Sequence, residues 1–287
     1  MQFIKNIILI LFSTFLLSNI PDYRVVAEWE PAIGTMIRWP LGIPSDLVEE
    51  LASDDILYVL VESSWQQNSA TNNFENWGVN LSNVVFIYTD TYSHWTRDHG
   101  PEFIIGENHW EVINQQFNGY PENYGCNFRE EEINDDVLNI LERNKIEGRP
   151  IGSQFRGWDE DDDTNVDFAN QLGWDIFNLP LYWTGGNFMT DGYGMGFSTQ
   201  LMVNENNISN AAFKEIMYQE LHFNDYHIFD NPNELSIQHI DCMAKLVNPE
   251  TIIIKQVSQL SPEYHCIEDF AESFYSLNTF YGRPFKI

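Results

Sequence analysis

Positive charge is scarce in this chain of 287 residues: 14 Lys and Arg stand against 43 Asp and Glu, a formal net charge of −29. Such a surface repels phosphates, which argues against nucleic acid and anionic membranes as partners. Two readings of the acidity remain, a solubilising surface or attraction of a cationic substrate or partner. Cysteine is equally sparse. Cys126, Cys242 and Cys266 are odd in number, lay out no disulfide framework and lack the paired spacing of a zinc site. Long apolar runs are missing except from Ile7 to Leu17, behind Lys5. That run is short of the ~20 residues of a membrane span but suits the apolar core of an export signal. The sequence therefore predicts a leader over 1–20 and an exported folded domain over 21–287. A leader that stays as a membrane anchor is the alternative; once the leader is removed, no membrane association is expected. No crisp internal repeat is visible. Apolar residues make up 43% and aromatics 15%, enough for a globular core.

Short β-branched and aromatic segments alternate with loops and helices. GTMIRWP, DILYVLVES, NVVFIYTD, PEFIIG and HWEVINQQF read as strands. EEEINDDVLNILERNK spaces Ile133, Val137, Ile140 and Leu141 as a helix. A strand-like passage from Trp174 to Thr199 is punctuated by glycines. ISNAAFKEIMYQELH predicts a helix capped by Ser209. ETIIIKQV reads as a buried strand, and SPEYHCIEDFAESFYSL as a helix opened by Ser261 and Pro262. The rhythm of strand pair, helix and strand indicates an α/β or α+β fold of repeated units. WDEDDDTNVD, Trp158 to Asp167, is read as a solvated loop. It lacks the glycine and terminal glutamate of an EF-hand calcium loop.

Three stretches could carry chemistry. In QHIDC an extended backbone projects His239 and Asp241 to one face and turns Cys242 to the other, as a small buried hydrophobe. In SHWTRDHGPEF, Trp95 and Asp98 precede a Gly100-Pro101 turn and can form a wall for a planar cation, by ring attraction and paired hydrogen bonds. In YWTGGNFMTDG, Gly185-Gly186 permits close backbone approach, Asn187 offers an amide, and Asp191-Gly192 reads as a hairpin turn. Each has a structural alternative: a core His–Asp pair, Arg97 and Asp98 paired with neighbours, a strand bulge or bend. A metal hydrolase built on His239 and Asp241 lacks further histidines to complete a ligand set.

Taken in order, WTRDxGP, TGGNxMTDG and HIDxxAK resemble the bacterial-type peptidylarginine deiminases and the related agmatine deiminases, of the guanidino-modifying superfamily. The resemblance runs from about Glu28 to the chain end. It implies a pentein-type propeller of five ββαβ units, of which this chain would hold the first three to four. It further implies that Asp98 and Asp241 grip the two edges of a substrate guanidinium, with Trp95 and Asn187 beside them, and that His239 is general acid and base. A thiolate would attack the guanidinium carbon, ammonia would leave, and water would release a ureido product, with no metal or organic cofactor.

The family's catalytic cysteine lies in its last repeat, beyond the HID segment, and none of Cys126, Cys242 or Cys266 matches it. The chain is therefore expected to be a C-terminally truncated deiminase-like domain over 21–287. A non-catalytic guanidino-binding remnant or decoy is the alternative. The expected partner is a cationic guanidino small molecule or an arginine-containing peptide. QQFNGYPENYG, Gln115 to Gly125, lacks the arginines that in bacterial-type peptidylarginine deiminases take a C-terminal carboxylate. Agmatine deiminases, in turn, carry EGG where this chain has TGGN. The reading places peptidylarginine ahead of agmatine.

Overall fold

Ile56–Val61 reads ILYVLV, an apolar run without alternation, the pattern of a strand covered on both faces. In the computed structural model, which describes residues 23–107, 109–117, 159–230, 238–261 and 264–287, both faces are indeed covered. Behind a short strand β1 (Arg24–Val25), strands β2 (Gly34–Arg38), β3 (Ile56–Val61) and β4 (Val84–Tyr88) form a parallel sheet with β3 central. Leu57, Val59 and Val61 pack on Val48 and Ala52 of helix Ser45–Asp54 and on Ala70 and Phe74 of helix Ser64–Trp77. Tyr58 and Leu60 meet Phe168 and Ala169 of helix Thr164–Leu172 on the other side.

From Glu102 onward the topology changes. Strands β5 (Glu102–Ile105) and β6 (Trp110–Gln116) form an antiparallel pair. Helix Thr164–Leu172 follows, and β7 (Asp175–Tyr182) returns parallel to β6, while β1 covers the far edge. Strands β8 (Met189–Thr190) and β9 (Met195–Thr199) are antiparallel. Helices Gln200–Asn206 and Asn210–Leu221 then lead to β10 (Asp225–Phe229), parallel to β9. Ser209 Oγ accepts from the Ala212 amide at 3.1 Å, the cap expected from the sequence. Strands β11 (Ala244–Asn248) and β12 (Thr251–Ile254) are again antiparallel, and helix Tyr264–Tyr275 follows. Lys286 then runs parallel to β12, donating to the Glu250 carbonyl at 2.8 Å and accepting from the Ile252 amide at 2.9 Å. Strand pair, helix and parallel return thus recur three times among the described residues. Residues 34–88 instead alternate parallel strands with helices and have no leading hairpin. Among the described residues the strands make four separate sheets rather than a closed barrel.

Several expectations are corrected. The acidic stretch is no solvated loop: Asp159–Asp162 is a helical turn and Thr164–Leu172 a helix, with Asp161 and Thr164 buried. Strand β12 is only partly covered, Ile253 being 60% exposed, because a two-stranded sheet leaves one face open. The helices Ser45–Asp54, Ser64–Trp77 and Gln200–Asn206 were not legible as such. Their polar residues blur the apolar period, and tertiary packing decides. The expected leader over 1–20, the helix over 130–145 and Cys126 lie outside the described residues, as do 118–125 of the specificity stretch. No helix among the described residues is long and apolar enough to cross a membrane.

Candidate functional site

Asp98 sits in the short helix Thr96–His99 and is 5% exposed. A buried carboxylate must be compensated by donors. Its Oδ1 accepts from the Gly186 amide at 3.2 Å and lies 3.4 Å from His239 Nδ1. His239, 3% exposed, stands at the start of the 3₁₀ turn Ile240–Cys242, and Asp241 occupies that turn. Opposite them Gly185–Asn187 forms another 3₁₀ turn, in contact with both the Asp98 helix and the Asp241 turn. Gly186 is the focus of the site. A methyl group at its Cβ position would stand 2.3 Å from Asp98 Oδ1, 2.9 Å from Asp241 Oδ2 and 2.9 Å from His239 Nδ1. Three polar atoms from two distant motifs therefore converge on a glycine of a third.

The HID segment is not the extended strand expected, since β11 begins only at Ala244. Asn187 explains why. Its Oδ1 accepts from the Ile240 amide (3.2 Å), the Thr199 amide (3.1 Å) and the Thr199 hydroxyl (3.0 Å). The Thr199 hydroxyl shares its single proton between Asn187 Oδ1 and the Gln238 carbonyl, the latter at 2.7 Å. These bonds hold the turn, with Gln238 at φ +67°, a left-handed conformation uncommon for a residue with a Cβ. His239 and Asp241 still face one site, by way of a turn rather than the alternation of a strand. Asn187 is buried and acts here through backbone it holds. Trp95 is 55% exposed, packs its ring on His94 at 4.5 Å, and uses its carbonyl to accept the Asp98 amide at 2.9 Å.

Cys242 also departs from expectation. It is exposed rather than buried, and its thiol bonds to the Asp241 carboxylate instead of facing away. Partial desolvation of the sulfur, in a residue that is otherwise exposed, and the adjacent Asp241 charge push that thiol up to about 11. A thiol so raised is largely protonated near neutral pH and a poor nucleophile. Cys266, on helix Tyr264–Tyr275, is exposed.

Electrostatically the site is an acidic pair. Burial and the like charge of Asp98 raise the Asp241 carboxyl, while His239 and Arg97 pull it down. Two carboxylates around one point are relieved by a cation between them. Arg97 is not that cation: it pairs with neighbours, the alternative that the sequence offered for it. Its Nη1 donates to Glu102 at 3.1 Å, its Nη2 to the Phe188 carbonyl at 3.1 Å, and it also pairs with Glu28. Burial opposes the Arg97 charge, but Glu102, Glu28, Asp241 and Asp98 outweigh it and hold Arg97 above its ordinary range. Lys245 joins the network at 2.7 Å from Glu28. A cavity of about 700 Å³ opens beside these residues, with Tyr58 and Trp110 among its aromatic walls. Sequence reasoning missed Gly186 as the focus and Glu28 and Glu102 as the partners of Arg97; no local pattern marks them. Among the described residues no group of three His, Cys, Asp or Glu could hold a metal ion.

Burial pushes Glu102 up to about 7, against the pull of Arg97. Its folded-state value lies above the unfolded one, so the folded protein binds the extra proton between about 4.5 and 7. Stability from this group is present below that window and declines as pH rises through it. Urea midpoints measured from pH 4.5 to 7.5 should fall less steeply in Glu102→Gln than in the unsubstituted chain. Parallel curves would refute the assignment.

A family model described as Porphyromonas-type peptidyl-arginine deiminase matches residues 24–287. Solved structures match over most of the chain. One, provisionally described as an agmatine deiminase, aligns with a TM-score of 0.72 at 16% identity, covering 93% of this chain and 71% of that one. The agmatine deiminase of Enterococcus faecalis aligns at 0.68 and 17% identity, with 93% and 71% covered. A C. jejuni agmatine deiminase with substrate bound aligns at 0.63 and 14% identity, with 88% and 71% covered. At these identities the likeness is one of fold.

Proposed function

This chain belongs to the Porphyromonas-type peptidyl-arginine deiminase family, and from that premise we propose that Asp98, His239 and Asp241 bind a substrate guanidinium for hydrolysis to a ureido group. The observation that carries this reading is the convergence of the three polar atoms around Gly186. Asp98 and Asp241 present acceptors to two edges of a planar cation, a geometry suited to paired N–H···O bonds. His239 lies where it can give a proton to departing ammonia and later take one from water. The three recurring hairpin–helix–strand units support a propeller-type arrangement around this centre.

Hydrolysis by this route needs a thiolate: a C–S bond forms at the guanidinium carbon, the C–N bond breaks, and water then cleaves the C–S bond to leave the ureido product. Cys242 does not suit that task, because its thiol bonds to the Asp241 carboxylate, whose charge disfavours the thiolate. That observation favours a second reading, in which these residues bind guanidinium without turning it over. The substrate class is peptidylarginine, yielding citrulline, ahead of agmatine, yielding carbamoylputrescine. The absence of arginine from Gln115 to Gly125 keeps agmatine in play. For a peptide substrate the reading includes export by the leader over 1–20.

Calorimetry with agmatine, a peptide ending in arginine, and the citrulline form of that peptide tests the proposal. The two guanidino compounds should bind and the neutral ureido peptide should bind at least about tenfold more weakly, having lost the charge that both carboxylates recognise. Equal binding of the arginine and citrulline peptides would sink the clamp. Ammonia release above a no-protein control would overturn the second reading, in which the guanidinium is bound without turnover.

A further inference from the structure

Asp161 is fully buried in the helical turn Asp159–Asp162, where an ionised carboxylate is costly unless donors surround it. The donors come from the loop that leads into Asp98. Asp161 Oδ1 accepts from the Tyr92 amide at 2.8 Å, and the Ser93 amide reaches both carboxylate oxygens at 3.1 Å. Ser93 Oγ in turn accepts from the Trp95 amide at 2.9 Å, and the Trp95 carbonyl accepts from the Asp98 amide at 2.9 Å. Asp98 Oδ1 then takes the Gly186 amide. An unbroken series of hydrogen bonds therefore runs from Asp161 to the focus of the site. A second tie lies just past Asp98. His99 is fully buried, with Nδ1 3.2 Å from Thr164 Oγ1 and Nε2 3.8 Å from Asp161 Oδ1. The acidic stretch thus grips the Asp98 helix from both sides in sequence.

We propose that Asp161 is a positioning residue for Asp98, setting the loop from Tyr92 to Asp98 so that the carboxylate is aimed beside His239. The inference rests on the guanidinium reading above and deepens it. Asp161 reaches the substrate only through other residues, and its role is geometric. A carboxylate with two oxygens suits the task because it holds two successive amides at once, which a neutral apolar residue leaves unsatisfied.

The test uses the full chain, agmatine as probe, and four variants: Asp161→Ala, Asp161→Asn, Ser93→Ala and Val48→Ala. Val48, on the buried face of helix Ser45–Asp54, packs in a separate core cluster and serves as a stability control. Asp161→Ala should weaken agmatine binding at least about tenfold, because a carboxylate displaced by a fraction of an ångström loses its paired geometry. It should also shift the NMR signals of the His239 ring, which needs no ligand. Asp161→Asn keeps an acceptor for the two amides and should recover binding to within about threefold. Ser93→Ala cuts the series midway while leaving the buried carboxylate in place, and should weaken binding even if Asp161→Ala does not fold. Val48→Ala should lower Tm and leave both readouts alone. The inference is overturned if Asp161→Ala and Ser93→Ala behave like Val48→Ala, with binding and His239 signals unmoved. If the unsubstituted chain does not bind agmatine, the guanidinium reading fails for that ligand. The His239 signals then decide the Asp161–Asp98 linkage by themselves.

Discussion

Gly186→Ala is expected to abolish capture of agmatine, with a loss on the order of 100-fold or more. The added methyl would meet Asp98 Oδ1, Asp241 Oδ2 and His239 Nδ1 at or below 2.9 Å, closer than real Cβ contacts permit. Each of those side chains could shift alone. They cannot all shift without opening the site, because Asp98 is held by the Gly186 amide and the Asp241 turn by Asn187. Overpacking of this kind also costs about 1–3 kcal/mol of stability. Calorimetry and a thermal melt on the same sample separate the two effects. An alanine variant that binds agmatine like the unsubstituted chain would show that the three atoms do not define the binding point.

Asp98→Asn should have the second largest effect, and its signature is different. The carboxamide keeps the shape and an oxygen for the Gly186 amide, so the turn Gly185–Asn187 stays where it is. What disappears is the negative charge. Removing one partner of a desolvated charge pair weakens binding by about 2–5 kcal/mol, so agmatine should be nearly lost. The neutral ureido peptide should be indifferent to the change. Stability should hold or rise, since Asp98 and Asp241 repel one another when no cation lies between them. Equal loss of agmatine and ureido binding, or a large fall in Tm, would mean that Asp98 serves the fold rather than the cation.

The sequence supported these expectations unevenly. Strand β3 was readable because an uninterrupted ILYVLV has no exposed face to give away, and helix Asn210–Leu221 because Ser209 marks its start. That Asp98, His239 and Asp241 lie together was readable through the order of their motifs. The 3₁₀ turn at Ile240–Cys242 was not. Its local sequence alternates like a strand, and the bond that bends it comes from Asn187, 53 positions away. Nor was the burial of Asp161, since five consecutive acidic residues resemble a solvated surface until the Tyr92–Ser93 amides are known to need an acceptor. Cys242 was misplaced for the same reason as the turn, and with it the side on which its thiol lies.

By itself the sequence determined which chemical groups this protein brings to a site: two carboxylates and an imidazole within a strongly acidic chain, with a glycine pair that can pass close to them. Only the tertiary structure decided that they meet, with Gly186 at the meeting point and Asp161 behind Asp98. Residue types and turn formers are local properties of the chain. Convergence is decided by hydrogen bonds between segments far apart in sequence, which no local pattern encodes.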